Sequence, residues 1–234
     1  MSCYEDIYND FPLRCASVWD SMAAAASAQD LDVTFMLMVA AAGFATPWEH
    51  LKIQPGQAKD NKNHPAFLHF DEKAYQRSLS MVDKALKARF QNSPLFCHAS
   101  TGKWFYGHAQ TIEAIRDMAE SHSPRQGKIE DLTARSAVKV LRNAIAHNSI
   151  YAFARDRPKV ISELAFFSEI VDKSKASGGA KQVLYYEVLA LPVDDFRQFL
   201  TAWFALLKRA QPLGRQVKLV VAAALEDDGD RLAA

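Results

Sequence analysis

The chain has 234 residues, 49% of them hydrophobic, with 28 Lys and Arg against 27 Asp and Glu and a formal net charge of +1. That length and apolar fraction suit one sizeable core, and the balanced charge excludes both a polyanion mimic and a generic nucleic-acid coat, so any anion site must be local. Cys3, Cys15 and Cys97 lack metal-type spacing and follow no secretory pattern, which predicts a reducing, cytoplasmic setting.

In chain order, "CASVWDSMAAAASAQ" and "DLDVTFMLMVAAAGF" are rich in Ala, Met and Leu. They predict two long antiparallel helices, the second capped by Asp30 or Asp32 and stopped by Gly43 and Pro47. The apolar run Leu31 to Ala45 contains Asp32 and Thr34 and falls short of the roughly 20 residues that span a bilayer, so no membrane segment is expected. "IQPGQAKDNKNHPAF" has the composition of a loop. "FDEKAYQRSLSMVDKALKARF" places Leu79, Val82 and Leu86 at helical spacing, a third helix. "GHAQTIEAIRDMAESH" reads as a fourth, and Leu132 to Phe153 as a fifth with Glu130 and Asp131 at its positive end.

Beyond Pro158 the texture changes. "KVISELAFFSEIV" and "QVLYYEVLAL" are β-branched and aromatic, predicting a β-hairpin over about 158–191. In "VDDFRQFLTAWFALLKRA", Phe196, Phe199, Leu200, Trp203, Phe204 and Leu207 share one helical face and are expected in the core. The expectation is a mainly α domain over 1–212, an antiparallel helical bundle with a β-hairpin before its last long helix. Residues 213–234 are expected to form a partly flexible C-terminal extension ending in the acidic "LEDDGDRLAA".

The fifth helix carries the chemistry. At roughly 100° per residue, Ala134, Val138, Leu141, Ala144, Ile145 and Ala152 share an apolar face. Arg135, Lys139 and Arg142 form a basic stripe beside it, and Asn143, His147 and Tyr151, each four residues after the last, form a hydrogen-bonding third side. From Leu132 to Lys159 six basic residues (Arg135, Lys139, Arg142, Arg155, Arg157, Lys159) face Asp156 alone, a net of +5, so the remaining chain carries −4. Such a local field suits a phosphate-bearing ligand. Against this, charged stripes are usually solvated faces and helical histidines are often structural. Spacing alone does not decide, since Arg116 and His122 in "RDMAESH" repeat it.

Other patterns are weaker. "ASTGKW" lacks the first glycine of a phosphate loop. His64 and His69 in "NHPAFLHF" have no partner at ligand spacing, so no metal and no cofactor is expected. Adjacent Cys97 and His98 point apart in any regular structure, which argues against a nucleophile pair.

"LRNAIAHN" resembles the signature of the HEPN superfamily, in which an arginine and a polar residue precede a histidine at a total gap of four to six, within an all-α bundle. The long-helix beginning, "GFATPWEHLKI", and the hairpin followed by an aromatic helix are similar to a plasmid- and proteobacteria-associated HEPN branch. The resemblance spans most of residues 10–210. It implies a metal-independent endoribonuclease, or a silent relative that binds nucleotide or RNA, acting as a homodimer with the two motifs facing each other. Carried over, Arg142 would hold the scissile phosphate, Asn143 would orient the site, and His147 would be the general acid or base. Arg135, Lys139 and Tyr151 are candidate substrate-binding residues.

The chemistry is sound on its own terms. Cleaving RNA without a metal requires the ribose 2′-hydroxyl to attack its own phosphorus, so one group must move protons near neutrality and a cation must stabilise charge on phosphate oxygens. Imidazole and guanidinium suit these tasks. Five residues separate Arg142 from His147, about 140° around a helix, so a shared site calls for a second copy across a two-fold axis. HEPN toxins paired with nucleotidyltransferase antitoxins carry, two residues after the histidine, a tyrosine that receives AMP. Ser149 stands there, so that regulation is not implied and an antitoxin partner is left open. A nucleotide-binding regulatory module and a dimeric scaffold remain the alternatives to the enzyme.

Overall fold

Helix-forming composition is translated directly into the first elements. The computed structural model describes residues 7–45, 72–99, 103–121, 129, 132–154, 160–171 and 182–210. The predicted loop at 53–67, Arg155, Asp156, Arg157, Lys159 and the C-terminal extension lie outside them. Helix α1 spans Ile7–Ala28 and α2 Asp32–Ala40, which widens into a π-turn over Ala41–Ala45. The second helix therefore runs on past the predicted stop at Gly43, with its last turn widened. Neither candidate aspartate caps it, because Leu31 holds the N-cap position without a side-chain bond. Asp30 sits in the left-handed connection at φ 56°, and Asp32 instead accepts from Arg197 at 2.9 Å.

Helix α3 is Glu72–Lys87, with Val82 and Leu86 buried as their spacing predicted. The next stretch departs from expectation. Phe105–Ala109 forms strand β1, and only Ile112–Ser121 forms helix α4, started by Thr111, whose Oγ1 accepts from the Ala114 amide. Aromatic Phe105 and Tyr106 fit a pleated surface, and a long-range ladder to a distant strand outweighs the local helical pattern from Gly107 onward.

Helix α5 covers Ala134–His147, not the predicted extent to Phe153. Thr133 caps its start by accepting from the Ser136 amide at 3.2 Å. Asn148 ends it in the left-handed region at φ 53°. The Asn148 amide then donates to Ile145 O and the Ser149 amide to Ala144 O, the paired bonds of a Schellman stop. Asparagine tolerates that conformation better than other residues with a side chain, so the helix stops here despite its good formers. Strand β2, Ile150–Phe153, follows at once.

Strands β3, Glu163–Val171, and β4, Val183–Pro192, realise the predicted hairpin, and helix α6, Val193–Ala210, leaves directly from its end. The hairpin is the centre of something larger, a four-stranded sheet in the order β1-β4-β3-β2 with every neighbouring pair antiparallel. The fold is thus mainly helical with an antiparallel sheet before the last long helix.

Strand alternation divides the interior in two. Leu164, Phe166, Leu189 and Leu191 join α5 and α6 in the main core, where Phe196, Phe199, Leu200, Trp203 and Phe204 are buried as predicted and Leu207 packs at the margin. Ala165, Val188 and Ala190 face the other way, against Ile115 of α4. Trp203 donates its indole proton to Gly43 O at 3.0 Å. An added Cβ at Gly43 would lie 2.6 Å from the Phe204 ring, so the close approach of the π-turn to α6 requires glycine.

Candidate functional site

Thr133 and Asn148 fix where α5 begins and ends, and its apolar residues Ala137, Val138, Leu141 and Ala144 lock its rotation against the sheet. That rotation places Asn143 over β3. The Asn143 side chain donates through Nδ2 to Ser168 Oγ at 2.9 Å and accepts at Oδ1 from Arg142 Nη1 at 2.8 Å. Arginine only donates, so the amide has one orientation that satisfies both contacts. Ser168 is 4% exposed. Arg142 is therefore aimed from beneath by a buried hydroxyl acting through an asparagine.

Neighbouring strands extend this polar floor. Ser168 pairs in register with Glu187, and Glu187 with His108. Lys139 reaches down from α5 to Glu187 at 3.6 Å, and Tyr106 donates its hydroxyl proton to the same carboxylate at 3.2 Å. Burial, then the adjacent Glu187 charge and hydrogen bond, push the Tyr106 phenol well above its ordinary pKa of 10.0. On the outer side Arg135 pairs with Asp83, which also takes Lys87 at 2.6 Å. The Lys87 hydrogen bond, aided by both positive charges, lowers the Asp83 pKa. Two of the three cations in the stripe thus meet acids from distant segments, which the charge count along α5 did not reveal.

His147 has different surroundings. It is exposed on the last turn of α5, beside the Asn148 stop. The hydrogen bonds described run from Arg142 to Asn143 and on to Ser168, with His147 outside that chain.

Residues 1–212 match the family model described as HEPN pEK499 p136. The chain belongs to that family. No curated protein and no solved structure matches it.

In this HEPN chain Tyr151 does not lie one helical turn beyond His147. Because α5 stops at Asn148, Tyr151 sits on β2 opposite Ala165 and stacks on Phe167 with ring centroids 5.3 Å apart. Alternation turns it to the α4 side of the sheet, whereas Ile150 beside it packs into the main core. Ala152, counted on the buried helical face, is exposed on the same strand. Among the described residues no group of three His, Cys, Asp or Glu is arranged to hold a metal, and no helix is long and apolar enough to cross a membrane. His64 and His69 fall outside the described residues.

Four residues of this cluster escaped the sequence reading: Ser168, Glu187, Tyr106 and His108. A signal existed for two of them. Ser168 in "AFFSEIV" and Glu187 in "LYYEVLAL" are polar at positions whose strand parity points toward the core, which marks a buried polar contact.

Proposed function

We propose that this HEPN protein is a metal-independent endoribonuclease acting as a homodimer, with Arg142 of one copy and His147 of the other converging on one phosphate. The observation that carries the reading is the clamp on Arg142. A half-buried guanidinium oriented through Asn143 and buried Ser168 has the fixed direction that transition-state charge stabilisation requires. In the reaction the ribose 2′-oxygen attacks the adjacent phosphorus, the bond to the 5′-oxygen of the next nucleotide breaks, and a 2′,3′-cyclic phosphate and a 5′-hydroxyl result. His147 takes the 2′-hydroxyl proton or supplies one to the leaving oxygen, and water completes the other transfer, while Arg142 balances charge on the non-bridging oxygens. Lys139 and Arg135 lie along the approach and steer the backbone. Tyr151, on the far face of the sheet, has no part in this site. A toxin, anti-phage or stress-response role in the cytoplasm fits such an activity.

A second reading, a regulatory module that holds a nucleotide or RNA without cutting it, draws support from the position of His147 outside the Arg142 cluster. An RNase assay in EDTA separates the two. Cyclic-phosphate ends that vanish in both Arg142→Ala and His147→Ala support the enzyme. Retained RNA or nucleotide binding with no cleavage in any buffer supports the module.

A further inference from the structure

Beside Arg142 lies a surface that the cleavage step does not use. His108 on β1 is exposed, and half-buried Tyr106 and Tyr185 flank it. The ring centroids lie 5.3 Å apart for Tyr106 and His108 and 4.9 Å for His108 and Tyr185. Among the described residues β1 is the edge strand and β4 its neighbour, so this aromatic group stands at that border of the sheet, on the face that α5 crosses.

Hydrogen bonding sets the imidazole in place. A carboxylate only accepts, so the single Tyr106 hydroxyl proton goes to Glu187 Oε1. The 3.0 Å contact between Tyr106 Oη and His108 Nε2 is then a bond donated by the imidazole. Glu187 is in turn held by Lys139. One carboxylate therefore ties the aromatic edge to the basic flank of α5. His108, Glu187 and Ser168 occupy one row across three adjacent strands. Two strand spacings, about 10 Å, separate the His108 position from Ser168, the anchor of the Arg142 clamp. That is the scale of one nucleotide from its phosphate to the edge of its base.

We propose that His108, braced edge-on by Tyr185 with 62° between the ring planes, forms a stacking subsite for an unpaired nucleobase of single-stranded RNA, next to the phosphate held at Arg142. The subsite rests on the ribonuclease reading above and narrows its substrate class, since only a base freed from a duplex presents its face to such a platform. A pinned ring loses little freedom when a base settles on it, which favours binding. The cationic flank supplies the backbone contacts, and the aromatic edge supplies the preference for unpaired strands.

The test is anisotropy of a fluorescein-labelled 2′-O-methyl oligoribonucleotide, which cannot be cut, titrated with the full chain at several salt concentrations. His108→Ala and Tyr185→Ala each weaken binding about 5- to 100-fold, the range for losing one stacked base. His108→Phe and Tyr185→Phe stay near wild type. The salt dependence keeps its slope in all four, because no phosphate-contacting cation is removed. Unchanged affinity in both alanine variants overturns the subsite alone. A His108→Phe variant as weak as His108→Ala also overturns it, by showing that the imidazole acts through its protons. Wild-type protein that binds no oligonucleotide at low salt and cuts no RNA overturns the subsite and the ribonuclease reading together.

Discussion

Around Arg142 helix α5 is clamped, with Asn143 bridging the guanidinium to a buried serine and Lys139 one turn back tied to Glu187. Five residues later, at His147, the same helix is open, its last carbonyls closed by the Asn148 stop and its imidazole exposed. On the proposed ribonuclease reading, the contrast follows from what each group would do. A cation that stabilises developing charge must be aimed before the reaction begins, whereas a proton-transfer group needs the substrate and a second surface to complete its surroundings. On that reading one chain builds the first environment and leaves the second to be finished by another copy.

The strongest way to break that comparison is to remove each side separately. His147→Ala lowers cleavage by about 10²- to 10⁴-fold and Arg142→Ala by about 10²- to 10³-fold, read from initial rates on a labelled RNA. Mixing and re-equilibrating the two inactive variants restores about a quarter of wild-type activity, because half the dimers are mixed and each of those holds one intact site. No recovery on mixing would mean that the two residues serve one chain, and the comparison would fail.

Stability sharpens it further. Leu141→Ala, in the fully buried centre of α5, costs about 2–5 kcal/mol by denaturant unfolding while the remaining folded protein cleaves normally, which separates loss of fold from loss of chemistry. Asn143→Ala leaves the Ser168 hydroxyl and part of Arg142 without their partner, a cost of about 1–3 kcal/mol accompanied by a drop in kcat. His147→Ala, at the open end, changes stability by less than about 0.5 kcal/mol. Equal stability losses at Asn143 and His147 would erase the distinction between clamped and open ends.

The smallest effect lies under the clamp. The Tyr106 phenol keeps its proton in the folded chain above the ordinary value of 10.0, while the unfolded chain gives it up there. The stability it contributes is therefore complete below pH 10 and falls as pH rises beyond it. Tyr106→Phe removes that alkaline slope, measured by urea unfolding between pH 9 and 11.

Much of the fold was legible before any coordinates. Ala-, Met- and Leu-rich stretches identified α1 and α2, apolar spacing identified α3, the aromatic stripe identified α6 and its buried face, and β-branched texture located β3 and β4. The misses share one cause. Phe105–Ala109 pairs with a strand near residue 187, and no local window contains that partner. Ile150–Phe153 continued a helical pattern in sequence, but the turn at Asn148 and the edge of β3 redirected it. Tyr151 went to the wrong side for the same reason, because helical and strand periods diverge within a few residues. The placement of Arg142, Asn143 and His147 on one helix was legible because their spacing lies inside it.

By itself the sequence determined the helical composition, the motif from Arg142 to His147, and the apolar faces of α5 up to His147 and of α6, since these are properties of residues a few positions apart. Only the tertiary structure decided that Asn143 rests on Ser168, that Glu187 joins Lys139 to Tyr106 and His108, and that Tyr151 stands behind the sheet. Those arrangements are made by strand register and helix rotation, which depend on packing between segments far apart in the chain.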